Sequence, residues 1–255
     1  MSRGSHYATG VGRTGTRNHQ RGWACLEAEH TWSSVGILMN NASLDFNSLA
    51  SAYDAWFEDE GKLVFTIEVK AFQKVLPLLP KPWLEIGVGS GRFAQSLGIE
   101  IGLDPSIKLL DMATKRDINV LVGRGEASPV RDGSFSTAFF IVTLCFVQSP
   151  LEVLIEAHRF LKRGGKAVLG LVLRESPWGQ FYQAKGDGGH RFYQHATFYS
   201  YSEVETLLDQ AGFEIERIVS TLFQKPGKVE HMELPQEGSS PDAGFAIIVA
   251  GNSGN

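Results

Sequence analysis

Glycines at alternate positions and a carboxylate soon after them form the pattern in this sequence best suited to binding a small ligand. Gly87, Gly89 and Gly91 lie in the segment LEIGVGSGRFA, and Asp104 follows Gly91 by 13 residues. Glycines permit a tight turn and let the backbone approach a ligand without side-chain obstruction. A carboxylate that ends the next strand can accept hydrogen bonds from both hydroxyls of a ribose. The pattern therefore predicts a site for a nucleoside-bearing ligand.

A dinucleotide-binding loop would look similar, so the details of the loop have to separate the ligand classes. The pattern G-x-G-x-x-G would need glycine at position 92, where the chain has Arg92. Glu85, two residues before the first glycine, is poorly placed beside a pyrophosphate but suits a cationic or amine-bearing ligand. These residues disfavour a nicotinamide-dependent oxidoreductase, which stays as an alternative.

Strand and helix patterns alternate along the chain, which predicts parallel βαβ units. We expect strands at 83–86, 99–103, 119–122, 137–142, 166–173, 213–219 and 245–250. We expect helices at 48–57, 62–76, 92–97, 106–115, 149–163 and 202–211. No helical pattern separates the last two strands, so we expect them to pair antiparallel. The predicted fold is α/β: a Rossmann-like, doubly wound, mostly parallel seven-stranded sheet with an antiparallel terminal strand pair.

Capping signals mark two of these helices. Ser149 and Glu152 form a predicted capping box, and Gly164 is expected to end that helix in the left-handed conformation. Ser202 and Glu205 form a second predicted box.

Composition separates an N-terminal extension from a folded domain. The chain has 255 residues, 43% of them hydrophobic, which suits one globular domain. Residues 1–40 are rich in Gly, Ser, Thr, Arg and His without apolar periodicity, so we expect a disordered extension there, with a targeting segment as the less favoured alternative. Residues 41–251 are expected to form the folded domain. Within it, the polar loop 224–242 is expected to be either disordered or functional.

Four ordered motifs over residues 46–251 resemble those of class I methyltransferases that use S-adenosylmethionine (SAM). Within this class, the chain resembles the type 11, or ubiquinone-biosynthesis-like, methyltransferases. The four motifs are the glycine loop ExGxGxG, the GLDPS at 102–106, the GRGEASP at 123–129 with DGSF at 132–135, and the RFLKRGG at 159–165. More narrowly, the chain resembles a small group of uncharacterised prokaryotic methyltransferases, some of them labelled histamine N-methyltransferases.

The resemblance implies SAM as the cofactor and a set of residues around it. The glycines would lie along the methionine part, Glu85 would organise the loop or the amino group, and Asp104 would hold the ribose. Glu126 and the Gly125 amide would meet the adenine edge, although Arg124 stands where many members have an acid. The full implied set is Tyr53, Glu85, Gly87, Gly89, Gly91, Asp104, Pro105, Gly125, Glu126 and Thr143.

Two segments could build the acceptor side of such a site. One is TLCF at 143–146, whose apolar residues could equally be part of the hydrophobic core. The other is the aromatic insertion 175–201. The insertion is either a hinged flap over the ligand or a hydrophobic cluster covering the sheet edge. A catalytic residue is not assigned, and the candidates are His190, His195 and Tyr193. Two histidines and Asp187 are too few ligands for an expected metal site.

The predicted function is SAM-dependent methyl transfer to a small molecule by in-line displacement. A non-catalytic SAM-binding or regulatory protein is the alternative from another class. The net charge of −4 and the absence of an N/D-P-P-Y/F motif at 143–146 argue against nucleic acid as a partner. No run approaches 18 apolar residues, so we expect no membrane partner. We expect a cytoplasmic protein, since the two cysteines form no disulfide pattern. We also expect it to be a monomer or homodimer.

Overall fold

A twisted eight-stranded sheet runs through residues 46–252, the part of the chain that the computed structural model describes. The expectation for residues 1–40 lies outside this range. The strands are β1 (Trp83–Ile86), β2 (Ile101–Asp104), β3 (Asn119–Val122), β4 (Phe135–Ile141), β5 (Leu161–Leu171), β6 (Phe213–Thr221), β7 (Gln236–Glu237) and β8 (Phe245–Asn252). Their spatial order is β3-β2-β1-β4-β5-β8-β6-β7.

Helices cover both faces of the sheet, as the alternating pattern predicts. The α-helices are α1 (Phe46–Trp56), α2 (Lys62–Phe72), α3 (Arg92–Leu97), α4 (Ile107–Thr114), α5 (Pro150–Phe160), α6 (Pro177–Asp187) and α7 (Tyr201–Gln210). Short 3-10 turns occupy Leu76–Leu78 and Tyr193–His195. No helix among residues 46–252 is long and apolar enough to cross a membrane.

The five strands from β3 to β5 are parallel, and β8 then enters antiparallel between β5 and β6. The parallel α/β architecture with an antiparallel C-terminal pair is therefore confirmed. The strand that the sequence did not predict is β7, two residues within 224–242 that pair with Val219 and Ser220. A two-residue ladder has no recognisable alternation, which is why the pattern missed it.

The sheet separates two hydrophobic cores, and side chains of the central strand β4 alternate between them. Phe139 and Ile141 join the core beneath α2 and α3, whereas Ala138 and Phe140 join the core beneath α5 and α7. All seven residues of β4 are buried, as expected for a strand covered on both sides.

Several predicted helix boundaries differ from the structure by one to four residues, and α2 ends at Phe72 rather than at 76. Helix α5 ends at Phe160 rather than at 163, because Leu161 has extended backbone and pairs with Phe135 of β4. Gly164 has φ +72° but lies within β5, so it does not end the helix. The second capping box is formed by Ser200 and Glu203, two residues earlier than predicted.

The insertion 175–201 contains helix α6, which the sequence analysis did not assign. Ser176 caps it by accepting a hydrogen bond from the Gly179 amide (3.0 Å), and Pro177 occupies the first turn. Gly186 lets this helix approach the next turn, since a Cβ there would lie 2.7 Å from the Tyr193 carbonyl oxygen. Trp178 is buried in the core beneath α2.

Candidate functional site

The glycine loop folds back over the end of β2. The Gly87 and Val88 amides both donate to the Leu103 carbonyl, at 2.7 and 3.1 Å. Gly87, Gly89 and Gly91 have φ values of +72°, +53° and +80°, in the left-handed region that favours glycine. The loop is therefore a tight backbone turn at the carboxyl edge of the parallel sheet, where open α/β sheets bind ligands.

The three glycines differ in what faces them. A Cβ on Gly87 would lie 2.5 Å from Thr143 Cγ2, and one on Gly91 would lie 3.0 Å from Ala113 Cα. A Cβ on Gly89 would have Tyr53 Cε1 as its nearest atom, at 3.5 Å. Gly87 and Gly91 thus allow close packing within the protein, whereas Gly89 keeps the backbone bare on the side of Tyr53.

Asp104 ties the loop to the end of the next strand. Its Oδ2 accepts a hydrogen bond from the Gly89 amide at 2.9 Å, and its Oδ1 accepts one from the Ser106 amide at 2.8 Å. Burial raises the pKa of this carboxyl, although both amides oppose the shift. A carboxylate offers about four acceptor positions, so two remain for further donors. The loop and the acid therefore form one continuous site.

Exposed apolar side chains lie beside Asp104. Ile107, on the first turn of α4, is 51% exposed, and Val122, the residue of β3 paired with Asp104, is 59% exposed. Large apolar side chains left open next to a buried carboxylate suit a flat apolar group such as a purine. The sequence analysis assigned a role to neither residue. It could have placed Val122 near Asp104, because β2 and β3 end at the same edge of the sheet.

Glu126 contacts the loop that follows β4 and is mostly buried. Its Oε1 accepts a hydrogen bond from the Gln148 amide at 2.9 Å, and Arg124 lies 3.5 Å from the same carboxylate. Burial acts to raise its pKa, but these backbone and arginine contacts outweigh burial and lower it, so the group is ionised. Gly125 packs against Ile86 and Val153, where a Cβ would lie 3.0 to 3.2 Å from their methyl groups. Contact of Glu126 and Gly125 with adenine stays a prediction.

Glu85 is buried directly beneath the loop, only 2% exposed. Its Oε2 makes no hydrogen bond within residues 46–252. Burial, followed by the charge of Asp104, raises its pKa well above the usual range. Thr143, by contrast, has a hydroxyl committed to the Ile86 or Ile141 carbonyl, at 3.0 or 3.1 Å. Thr143 therefore supports the loop from behind, and its contact with the cofactor stays a prediction.

Helix α1 crosses the site and is fixed near both of its ends. Near its start, Asn47 Oδ1 accepts a hydrogen bond from the Ser106 hydroxyl at 3.0 Å. Near its end, Asp54 accepts two hydrogen bonds from Arg92 at 2.8 Å each and one from Arg116 at 2.9 Å. Burial acts to raise the pKa of Asp54, but these arginines hold it well below its usual range. Arg92, which argued against a dinucleotide loop, thus holds α1 over the site.

This anchoring places Tyr53 between the glycine loop and the insertion. Its ring packs edge-on against Phe46, Phe57 and Phe192, with centroids 5.3 to 6.1 Å apart. Burial, and then the charges of Glu85 and other acids nearby, raises the pKa of Tyr53. Tyr53 is therefore an uncharged phenol with acidic side chains nearby, among them Glu85 and Asp104.

The predicted acceptor residues of the insertion are only partly brought together. Tyr193 stacks on Tyr182 with ring centroids 4.3 Å apart, and His190 stacks on the Tyr193 ring at 4.6 Å. His190 Nδ1 accepts a hydrogen bond from the Phe192 amide at 3.4 Å, and burial lowers its pKa. His195 ends the 193–195 turn, half-buried. Proton acceptance by any of these side chains stays a prediction.

The end of β4 adds a strained residue, Val142, and a half-buried cysteine, Cys145. Val142 has φ +52°, which is rare for a β-branched residue. Cys145 shares a cavity of about 20 Å³ with Val142, and burial raises the pKa of its thiol to about 12. A thiol with this pKa is a poor nucleophile. Among the described residues, no group of three His, Cys, Asp or Glu side chains could hold a metal ion.

Comparison with known proteins identifies the family. A family model described as a methyltransferase domain matches residues 84–169, from β1 into β5. A crystal structure of a SAM-dependent methyltransferase from Thermotoga maritima, a possible histamine N-methyltransferase, is 37% identical with a TM-score of 0.75, covering 82% of this chain and 98% of the other. The chain belongs to the methyltransferase family.

Two uncharacterised relatives of this methyltransferase share most of its length. One, from Methanocaldococcus jannaschii, is 37% identical over 205 residues, which is 80% of this chain and 97% of the relative. Another, from Mycobacterium tuberculosis, is 38% identical over 228 residues, which is 88% of this chain and 80% of the relative. The methyltransferase domain model and the Thermotoga maritima structure confirm the predicted resemblance to methyltransferases, and a nicotinamide-dependent oxidoreductase loses its support.

Proposed function

We propose that this methyltransferase uses SAM to methylate a small molecule. The observation that carries the proposal is the 2.9 Å hydrogen bond from the Gly89 amide to Asp104 Oδ2, because it joins the bare loop and the ribose-type carboxylate in one site. The Thermotoga maritima relative, described as a SAM-dependent methyltransferase, supports the cofactor. A cytoplasmic monomer or homodimer stays a prediction.

The residues present fit SAM. Glu85 Oε2, buried without a hydrogen-bond partner in the described range, suits the cofactor's cationic methionine end. Gly89 leaves room for a ligand to approach the backbone, and Asp104 retains free acceptor positions for ribose hydroxyls. Ile107 and Val122 offer the adenine an apolar wall. When bound, SAM supplies an electrophilic methyl group on a sulfonium.

The chain's own contribution is to bind, orient and exclude water. Helix α1, held through Asp54, keeps Tyr53 over the loop, and the insertion closes the neighbouring side with Phe192. Much of the rate of such a transfer can come from holding the reacting atoms in line, without a protein nucleophile. This is consistent with Cys145, whose thiol stays protonated at neutral pH because its pKa is raised to about 12.

The cofactor site is tested by Asp104→Asn, with Glu100→Gln as the matched control. The substituted side chain would keep one acceptor oxygen but turn an amide N–H₂ toward backbone or ribose donors. Hydrogen bonds to charged groups contribute about 1.5–3 kcal/mol each, so we expect the demethylated cofactor to bind more than tenfold more weakly. Glu100 is 79% exposed at the opposite end of β2, so its variant should bind normally. Isothermal titration calorimetry measures both.

Two outcomes would contradict the proposal in different ways. Unchanged affinity in a folded Asp104→Asn variant would remove the ribose role. Normal cofactor binding by the wild-type protein without transfer of labelled methyl into a metabolite extract would indicate a SAM-binding protein that is not an enzyme.

A further inference from the structure

A large cavity opens on the outer side of the insertion, away from the glycine loop. Its volume is about 950 Å³, which is within the size range of sites that hold small molecules. The first turns of α6 form one side of it, and residues 223–242, between β6 and β8, form the other. The lining includes Phe181, Phe223, Lys225, Lys228 and Asp242.

The cavity lies at the carboxyl edge of the parallel strands but is separate from the cofactor loop. It is built beyond the end of β6 and before the start of β8, whereas the glycine loop follows β1. In the sheet, β8 is three places from β1 and β6 is four places from it. Neighbouring strands lie about 4.8 Å apart, so about 14 to 19 Å separates the strand ends that carry the two places.

Hydrogen bonds within the loop hold its side of the cavity in place. The Gln224 side chain accepts a hydrogen bond from the Glu230 amide at 3.0 Å, and Glu233 Oε1 accepts one from the Phe223 amide at 2.7 Å. The Trp178 indole N–H of α6 donates to the Gln224 carbonyl at 2.8 Å, which joins the two sides. A ligand would therefore have to order little of the chain, and this favours affinity.

Aromatic side chains line both sides of the cavity. Phe181 comes from α6 and Phe223 from the loop, and both are half-buried. Within residues 46–252, Phe223 packs against neither hydrophobic core and makes no contact with another aromatic ring. An aromatic ring that the packing of the protein does not use is suited to contact a planar ring of a ligand.

The charged side chains that line the cavity are positive in sum. Lys225 and Lys228 are its cations and Asp242 is its acid, and none of the three forms an ion pair within the described residues. Two other acids of the loop are committed elsewhere, Glu233 to a backbone amide and Glu237 to an arginine of β6. Unpaired lysines in a chain with a net charge of −4 make this cavity a place that attracts an anion.

We propose that this cavity is a second ligand site, which binds a small anion that carries an aromatic ring. Lys225 and Lys228 would hold the carboxylate or phosphate, and Phe181 and Phe223 would contact the ring. A molecule with one or two fused rings is too short to reach the glycine loop from here. Its occupant is therefore distinct from the methyl acceptor and can be bound together with SAM.

Isothermal titration calorimetry with 2-naphthoate and 1-naphthyl phosphate tests the proposal on the wild-type protein. Both probes carry the same fused ring, so the tighter one shows whether the site prefers a carboxylate or a phosphate. For comparison, 2-naphthamide lacks the charge, and acetate and inorganic phosphate lack the ring. We expect at least one ring-bearing anion to bind with a Kd below about 1 mM and at least fivefold more tightly than these three. Added salt should weaken its binding, because ions screen exposed lysines.

The double variant Lys225→Gln with Lys228→Gln tests the residues, with Lys162→Gln as the matched control. Both lysines of the cavity are exposed, so their replacement should leave the fold intact. Lys162 is also exposed but lies near the start of β5, at the opposite edge of the sheet. We expect the ring-bearing anion to bind at least fivefold more weakly to the double variant and normally to the control.

Four results would overturn the proposal. They are no binding of either ring-bearing anion below about 1 mM, equally tight binding of 2-naphthamide, equal affinity of the double variant and wild type, and competition between the probe and the demethylated cofactor. Competition would place the probe in the cofactor site. If the demethylated cofactor itself does not bind, only the function proposed above fails, because the second site does not depend on it.

Discussion

The ion-paired anchor of α1 allows a quantitative prediction for Asp54→Asn. Asp54 receives hydrogen bonds from Arg92 and Arg116 at 2.8 to 2.9 Å, and the three side chains are only 15 to 18% exposed. Arg92 retains Glu58 and Arg116 retains the Ser90 carbonyl, at 2.7 Å, after the change. The loss is therefore smaller than that of a fully buried pair, about 2–3 kcal/mol rather than 3–5.

This loss should appear in cofactor binding. A cost of 2–3 kcal/mol shifts the docking equilibrium of α1 by about 30- to 150-fold. If docked α1 is part of the cofactor site, the apparent affinity falls with the docked fraction. The fraction falls by the whole factor only when α1 of the variant is mostly undocked, so we expect the demethylated cofactor to bind several-fold to at most about 150-fold more weakly to Asp54→Asn, measured by isothermal titration calorimetry. Trp56 ends α1, and because the chain has five tryptophans, its fluorescence is obtained as the difference from a Trp56→Phe variant.

Glu58→Gln is the matched control, because it removes the other acid that contacts Arg92. Glu58 is 60% exposed, so solvent screens its ion pair with Arg92 and the pair should contribute little to stability. Equal cofactor affinities in Asp54→Asn and Glu58→Gln, both folded, would refute the reasoning. Either α1 would then be held by its apolar contacts alone, or its position would not matter to the cofactor.

Two further predictions concern the loop and the thiol. Gly87→Ala should lower the free energy of unfolding by about 2–4 kcal/mol in a urea titration, since the new Cβ would lie 2.5 Å from Thr143 and φ is +72°. Gly89→Ala should lower it by only about 1 kcal/mol but should weaken cofactor binding. A larger loss of stability in Gly89→Ala than in Gly87→Ala would contradict the surroundings assigned to the two glycines. In a Cys25→Ser background, which removes the other cysteine, Cys145 should react with iodoacetamide at pH 8 only after unfolding, because its pKa is raised to about 12. Rapid labelling of this folded variant would show that the thiol is accessible.

Local signals predicted most of the fold. Ser149 does cap α5, and the apolar runs of β1 and β4 are central strands, because short buried segments and caps are encoded within a few residues. Two of the errors arise where distant pairing decides the outcome. Leu161 is extended because Phe135 pairs with it, and β7 exists only because β6 offers an edge. Neither partner can be read from the neighbouring sequence.

The candidate site divides in the same way. The glycine loop and Asp104 are legible in sequence, since 13 residues and one helix separate them. The anchor of α1 joins residues 38 and 62 positions apart, which no local spacing encodes.

The central place of β8 has a consequence for biosynthesis. Residues 83–171 contain the glycine loop, Asp104 and all five parallel strands, so a nascent chain that has reached residue 171 already carries the whole cofactor loop and its acid. Until residue 252 is released from the ribosome, however, β5 has an open edge and β6 has no neighbour on that side. Unpaired edges of this kind attract other chains. Chaperone dependence during translation, or aggregation of truncated products, would follow from strand order alone.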